Sequence, residues 1–182
     1  MADRHARVET RAGFIGSIDG THCDIQEPRK FPSTKWYSHK TNGPALTYQV
    51  ILSLHESKIL SVIGPFPAGE SDLQVFRKPD GIVDHIPNGK RLIGDRGYYG
   101  EPDKIATPNE HDSLEVLKFK NRARSRHESL NARLKSFNAL NTHFRHPKSD
   151  TEQDILDNHE IVFQAIYALV QYDLLYMPLI EL

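Results

Sequence analysis

The sequence predicts an α/β domain built on a mixed β-sheet flanked by helices. Residues 13–64 are dense in β-branched and aromatic residues, which favour strands. A short helical pattern follows and leads to a further apolar run at 91–94, and two long patterns of helical periodicity occupy the last third of the chain. A strand-rich half, one helical crossover and a helical half are typical of a single layered α/β domain.

Length and composition limit the organisation and the class of partner. A chain of 182 residues, 38% of them hydrophobic, can bury one core, so we expect one domain at 13–176 with tails at 1–12 and 177–182. The formal net charge is −1, so a nucleic-acid surface must come from local clustering of cations. The single cysteine, Cys23, excludes an internal disulfide framework and favours a reducing compartment. No apolar run is long enough to span a bilayer, so no membrane is expected.

Five strands are predicted. Those at 13–18, 46–54 and 59–64 should form an antiparallel meander, because the polar residues 55–58 make a turn between the last two. A short helix at 69–78, with Ser71 as a candidate cap and Pro79 as its stop, leads to the strand at 91–94. Such a crossover is normally right-handed and leaves the new strand parallel. An edge strand at 104–108 completes the sheet.

Two long helices follow the sheet. The first extends from 112 to about 140, with a stripe at three- and four-residue steps formed by Leu114, Leu117, Ala123, His127, Leu130, Leu134 and Phe137. The second extends from about 151 to 176 and should cover the core through Ile155, Ile161, Val162, Ala165, Ile166, Leu169 and Val170.

Three acidic residues stand in three different local settings. Asp19 and Asp95 each end an apolar run, and an acid at the exit of a strand points out of the sheet edge, where a ligand can reach it. If the strand at 91–94 lies beside the first strand, the two aspartates become neighbours. Glu128 lies off the apolar stripe of the first long helix, so it should face a polar site.

Carboxylates in this arrangement suit metal-assisted phosphodiester chemistry. They are hard oxygen ligands for Mg²⁺ or Mn²⁺, and two such ions can activate the attacking oxygen and stabilise the leaving oxygen of an in-line displacement. Cations crowd around Glu128, and we expect a subset of them to hold a DNA backbone through salt-dependent contacts. The predicted DNA-binding residues are Arg122, Arg124, Arg126, Arg133 and Lys135.

Four segments, taken in order, resemble the DDE transposase domain of PIF/Harbinger elements. They are Ile18-Asp19-Gly20-Thr21-His22, the stretch 64–69 leading to Asp72 and Phe76, Gly94-Asp95-Arg96-Gly97-Tyr98, and residues 124–135 around Glu128. The resemblance covers about 13–172. It implies an RNase H-like fold and a metal-dependent DNA endonuclease and strand transferase that cuts element ends and joins them to target DNA. It also implies Asp19, Asp95 and Glu128 as the catalytic, metal-binding triad.

The resemblance also bears on partners and location. Transposases of this type carry a helix-turn-helix region before the catalytic domain, and the dozen residues before the first strand are too few for one. We therefore expect a separate Myb-like DNA-binding partner, a nuclear location and a homo-oligomer. Two other functions stay open, namely a catalytically silent DNA- or protein-binding module and a hydrolase acting on RNA in a hybrid.

Several neighbouring residues have competing interpretations. Asp72 matches an aspartate common in the family, and we interpret it as structural, an acid favoured by a helix N-terminus. Tyr98 either packs or stacks near DNA. Trp36 and Tyr37, among Lys35, His39 and Lys40, form either a DNA-facing loop or a solvated basic loop. His143 and His146 are expected to contact phosphate or to supply loop polarity, and His159 is expected to be packed or hydrogen-bonded.

Overall fold

The structure is a computed structural model that describes residues 13–28, 31–79, 81–145 and 151–182. Within those residues one sheet contains six strands: β1 (Phe14–Asp24), β2 (Tyr37–Ser38), β3 (Gly43–Ser53), β4 (Ile59–Pro67), β5 (Arg91–Ile93) and β6 (Ile105–Ala106). The α-helices are α1 (Ser33–Trp36), α2 (Asp72–Phe76), α3 (Leu114–Leu134), α4 (Asn138–Asn141) and α5 (Glu152–Tyr176). Two 3-10 turns lie at Ile82–His85 and Arg96–Tyr98. The predicted tail at 1–12 lies outside the described residues.

The strand order confirms the predicted mixed sheet. β3 pairs antiparallel with β1 and with β4, which is the expected meander. β5 pairs parallel with β1, and β6 pairs parallel with β5, as the crossover predicted. The prediction of five strands is corrected to six, because β2 adds a two-residue pairing with the start of β3. The two central strands, β1 and β5, are therefore parallel neighbours.

The prediction that β1 ends at Ile18 is wrong. The strand continues to Asp24, and its antiparallel register with β3 runs without interruption from Gly16 opposite Ser53 to Asp24 opposite Ala45. Residues 20–23 looked like a turn after an aspartate, yet all of them are buried between neighbouring layers. Tertiary packing thus overrides the local turn signal, and Asp19 lies in the middle of the strand.

The crossover helix begins as predicted. The Ser71 hydroxyl accepts a hydrogen bond from the Gln74 amide at 3.3 Å, and the Gln74 side chain accepts one from the Ser71 amide at 2.9 Å. This reciprocal capping box satisfies two amides that the helix itself leaves unpaired. The helix is short, ending at Phe76, and its buried residues Val75 and Phe76 attach it to the sheet.

The sheet is covered on both faces. One face packs against α3, α4 and α5 through a core that includes Tyr48, Val50 and Leu130. The other face packs Ile18 and Leu92 against α2 and the two 3-10 turns. Helix α3 ends at Leu134, earlier than the predicted 140. The Ser136 amide and hydroxyl both bond to the Arg133 carbonyl there, which turns the chain before α4 begins.

Helix α5 spans the predicted range, but the residues that it packs against the core differ in part from the predicted ones. Thr151 and Asp154 form a capping box at its start. Its buried residues are Ile155, His159, Phe163, Ile166, Val170 and Leu174. Ile161 and Leu169, predicted to be buried, are 71% and 56% exposed. Because the helix is apolar on two sides, hydrophobic periodicity alone could not select the buried one.

The predicted role of His159 as a packed histidine is confirmed. It is fully buried, and its Nδ1 lies 2.7 Å from the Tyr48 hydroxyl. Tyr48 in turn stacks on Phe163 with ring centroids 3.7 Å apart. Burial lowers the pKa of His159 to about 4, so the ring is neutral at physiological pH.

No helix of the described residues is long and apolar enough to cross a membrane.

Arg126 anchors the turn between β3 and β4. Its guanidinium donates to the carbonyl oxygens of Ser53 and Glu56 and to the Ser57 hydroxyl, and the residue is 7% exposed. The same Ser57 hydroxyl accepts from the amide of Leu179 at 2.8 Å. Segment 177–182, predicted as a tail, therefore contacts the domain at this turn.

Removing the Arg126 side chain should destabilise the domain. Arg126→Ala would leave the carbonyl oxygens of Ser53 and Glu56 without this donor, and we expect it to lower the free energy of unfolding by about 2–4 kcal/mol. Urea denaturation measures the change. Arg124→Ala is the matched control, because Arg124 lies two residues away on α3 with an exposed side chain, and it should change stability by less than about 0.5 kcal/mol. Equal effects of the two variants would contradict the anchoring role.

Candidate active site

Asp19 is held by its own strand and by α3. One carboxylate oxygen accepts from the Gly20 amide at 2.8 Å, and the other accepts from the Asn131 side-chain amide at 2.8 Å. Two residues earlier on β1, the Ser17 hydroxyl lies 2.9 Å from Nδ1 of the buried His127. These two contacts fix the face of α3 that carries Asn131 against the central strand.

Asp95 lies directly beyond the end of β5, as predicted. Its carboxylate accepts from the Gly97 amide at 2.8 Å and so caps the 3-10 turn Arg96–Tyr98. The parallel pairing of β5 with β1, in which Ile93 lies opposite Ser17, carries Asp95 level with Asp19. Strand pairing therefore brings together two acids that are far apart in sequence.

Glu128 is exposed on α3, one turn before Asn131. Since Asn131 touches Asp19, this polar face of the helix lies over the central strand. Glu128 and Asp95 both act electrostatically on Asp19. Strand pairing sets Asp95 beside Asp19, and the Asn131 contact sets the helix face of Glu128 over the same strand, so the fold brings the three predicted acids into one group.

Burial dominates the electrostatics of Asp19. It raises the pKa of the carboxyl from 3.8 to about 6, because water no longer stabilises the charge. Lys40 opposes the shift, while the negative charges of Glu128, Asp95 and Asp72 add to it. A pKa displaced by a group of like charges is a feature of functional sites.

Two further residues, Asp72 and Lys40, belong to this group. The Asp72 side chain is 11% exposed and pairs with the Lys40 ammonium at 3.0 Å. Its carboxylate also presses against two glycines: a β-carbon on Gly20 would come within 2.3 Å of one oxygen, and one on Gly97 within 3.1 Å of the other. The aspartate interpreted as structural is at the first turn of α2, as expected, but its side chain lies among the acids.

Gly20 and Gly97 are the sequence feature that indicates the position of the Asp72 carboxylate. Gly20 directly follows Asp19 and Gly97 lies two residues after Asp95, and both positions leave room for a neighbouring carboxylate. A β-carbon on Gly97 would also meet the Asp95 oxygen at 2.9 Å. Lys40 gave no comparable signal, because it lies in the turn between β2 and β3, thirty-two residues from its partner.

The donor chemistry fits a divalent cation. All four acids offer hard oxygen ligands, which suit Mg²⁺ or Mn²⁺, and the glycines leave the carboxylates room to approach one another. Within the described residues, however, no three histidine, cysteine or acid side chains already form a group that could enclose an ion. Asp19 and Asp95 would hold Mg²⁺ as partial ligands, since this ion keeps several waters or phosphate oxygens in its shell.

The predicted DNA-binding cations divide into two groups. Arg124 is exposed and Lys135 is half-buried, and both share the helix face of Glu128. Three others already bind the protein: Arg126 at the turn described above, Arg122 at the Glu181 carbonyl (2.8 Å) and Arg133 at Asp173 (3.2 Å) and the Met177 carbonyl. These three side chains therefore have partners within the protein, and DNA binding by all five cations stays a prediction.

Burial decides between the two interpretations of the aromatic residues. Tyr98 and Trp36 are fully buried, so the packing role holds for Tyr98 and Trp36 is not part of an exposed loop. Tyr37 is 40% exposed. Tyr99, which the sequence did not single out, is 78% exposed next to the Asp95 turn. His143 is exposed, and His146 lies outside the described residues.

A mixed six-stranded sheet flanked by helices, with acids gathered at its central parallel strands, is the arrangement of an RNase H-like α/β domain. Residues 18–171 match the family model described as DDE superfamily endonuclease, and the chain belongs to that family. Such endonucleases act on DNA and generally use divalent metals, which agrees with the acids found here. Comparisons with curated proteins and with solved structures gave no match.

The raised pKa of Asp19 predicts a pH-dependent gain in stability for Asp19→Asn. The unfolded chain loses this proton near pH 3.8 and the folded chain near pH 6, so the charge destabilises the fold increasingly between these values. Above pH 6 the neutral variant should be more stable than the parent by up to about 3 kcal/mol. Asn131 can accommodate the change by rotating its amide, since its side-chain oxygen has no partner among the described residues.

Urea denaturation in EDTA at pH 7.5 and at pH 4 measures this difference. The gain should be present at the higher pH and absent at the lower one. Asp103→Asn, on an exposed loop, controls for the loss of a negative charge and should show no pH-dependent gain. A variant less stable than the parent at pH 7.5 would contradict the assignment of Asp19 as a buried, destabilising charge.

Proposed function

We propose that this chain is the catalytic domain of a Harbinger-type DDE transposase, a metal-dependent DNA endonuclease and strand transferase. The observation that carries the proposal is that the fold of a DDE superfamily endonuclease brings Asp19, Asp95 and Glu128, from three separate sequence motifs, to the same central strands. The Harbinger assignment rests on the residues around these acids, and nuclear action on element ends and target DNA follows from it.

Each acid has a defined part in the proposed chemistry. Asp19 and Asp95 supply oxygen ligands from the two central strands, and Glu128 supplies a third from α3. Two bound Mg²⁺ ions would activate the attacking oxygen and stabilise the leaving oxygen of an in-line displacement. In hydrolysis a water oxygen bonds to phosphorus as the bond to the 3′-oxygen breaks; in strand transfer a 3′-hydroxyl replaces the water. The protein itself positions the phosphodiester and the acids.

Arg124 and Lys135 are the proposed contacts to the DNA backbone. They flank Glu128 along α3 at intervals of four and seven residues, so they lie on its side of the helix. Cations that touch phosphates give affinity without reading sequence. Recognition of element ends is therefore assigned to a separate Myb-like partner, and pairing of two ends to a homo-oligomer.

Substitution of single acids tests the catalytic proposal. Asp95→Asn and Glu128→Gln should each reduce Mn²⁺- or Mg²⁺-dependent nicking of supercoiled DNA by at least about 10³-fold, because each removes a charge that would hold an ion. Asp103→Asn should nick as the parent does. The variants should keep their melting temperatures to within a few degrees.

The outcomes separate the candidate functions. Persistent metal-dependent cutting by both variants would contradict the assignment of the triad. Salt-sensitive DNA binding by the parent without cutting under either metal would favour the silent binding module. Cleavage of the RNA strand of a hybrid, with no cleavage of duplex DNA, would favour the RNase H-type hydrolase.

Salt dependence tests the proposed DNA surface. Arg124→Ala and Lys135→Ala should each weaken binding to duplex DNA and reduce the slope of log affinity against log salt by about 1, since each contact releases about one counterion. Lys58→Ala, an exposed cation on the β3–β4 turn, should leave the slope unchanged. Equal effects of all three would indicate a diffuse field in place of the proposed contacts.

A further inference from the structure

Asp72 lies in a pocket of polar groups that helix capping does not explain. Its main-chain oxygen accepts from the Gln49 side-chain amide at 2.6 Å, and its carboxylate lies between the two glycines that adjoin Asp19 and Asp95. Gln49 is fully buried and lies opposite Gly20 in the sheet. The sheet therefore fixes the position of Asp72, although α2 itself is only five residues long.

Buried polar atoms around Asp72 are left without partners. The Tyr98 hydroxyl is fully buried, and it has no hydrogen bond within the part of the chain that the structure describes. The carboxylates that act on it electrostatically are those of Asp72, Asp19 and Asp95. Thr47 is 1% exposed, and its hydroxyl also has no partner among the described residues. This hydroxyl lies 3.5 Å from the position that a β-carbon on Gly20 would take, which is the position that Asp72 crowds. Buried hydroxyls without partners normally indicate a ligand or water that completes the site.

Lys40 supplies the positive charge that this pocket holds. Its ammonium binds Asp72 at 3.0 Å and acts electrostatically on Asp19 and Asp95 as well. Its side chain is 47% exposed, so it can leave without disturbing the core. A partly exposed ammonium that acts on three carboxylates therefore lies in the region where a divalent cation would bind.

We infer that Asp72 is a fourth carboxylate ligand of the metal site and that Lys40 is its counter-ion while the metal is absent. The inference rests on the proposed function, because it assigns two more residues to the same site. Lys40 balances the acids in the free protein and gives up Asp72 when a divalent cation arrives. Metal binding and the Lys40 ion pair are therefore competitors.

Mn²⁺ titration by calorimetry tests the competition on the full chain. Asp72→Asn should weaken Mn²⁺ binding by at least about tenfold, whereas Lys40→Met should tighten it roughly threefold to tenfold. The matched controls are Glu70→Gln and Lys78→Met, because Lys78 and Glu70 form a neighbouring ion pair at 2.9 Å with both side chains 32% exposed. Both controls should bind Mn²⁺ as the parent does.

Thermal unfolding in EDTA tests the counter-ion role without any metal. Lys40→Met should lower the melting temperature by about 3 °C or more relative to Lys78→Met, because it leaves the acids unbalanced. Adding Asp72→Asn to Lys40→Met should recover most of that loss. If Asp72→Asn alone fails to fold, the comparison of Lys40→Met with Lys78→Met still decides the counter-ion role.

The outcomes distinguish this inference from the proposed function. If Asp19→Asn abolishes Mn²⁺ binding while Asp72→Asn and Lys40→Met leave it unchanged, the inference is overturned and the proposed function stands. If the parent binds no Mn²⁺ at millimolar concentration either alone or with duplex DNA present, both are overturned. If Lys40→Met melts like Lys78→Met in EDTA, Lys40 is not the counter-ion.

Discussion

Asp19 carries its carboxylate in the middle of the central strand, with most of that group out of water, and this burial is the constraint on which the site depends. A charge in such a position must be solvated by the protein itself. The Gly20 amide and the Asn131 side chain do so directly, and Lys40 contributes at longer range. The contacts of β1 with β5 and α3 then place Asp95 and Glu128 near enough to act on Asp19. The buried carboxylate of Asp19 is thus the point at which β1, β5 and α3 come together.

This arrangement is unfavourable for stability and favourable for binding a cation. Neighbouring acids repel one another, and their repulsion together with burial raises the pKa of Asp19. A divalent ion bound between the acids would attract each of them and so offset this repulsion. Stabilising contacts away from the site offset the free-energy cost of this charge. They include the Arg126 anchor at the β3–β4 turn and the cluster of Tyr48, His159 and Phe163. Rigid packing on both faces of the sheet holds the acids where they are.

Strand order, the parallel crossover and the ranges of α2 and α5 could be predicted because local patterns and packing agree there, whereas α1 and the end of α3 were missed. Asp95 follows an apolar run and precedes a glycine turn, and the structure places it at the end of β5. Asp19 was misplaced within its strand, since the turn signal of Gly20 competes with pairing to β3 that no local pattern reveals. The inward direction of Arg126 had a signal in the stripe, because it lies three residues after Ala123 and four before Leu130, both buried. The Lys40–Asp72 pair joins the β2–β3 turn to the first residue of α2, thirty-two residues away, so only the fold brings it into view.

A crystal structure of the protein with DNA and Mn²⁺ would test the central claim most directly, by anomalous scattering from the metal. We predict an anomalous peak at coordination distance, about 2 Å, from carboxylate oxygens of both Asp19 and Asp95, with phosphate oxygens completing the shell. A saturated crystal in which the metal lies elsewhere, or in which Asp19 remains bound only to Gly20 and Asn131, would contradict it.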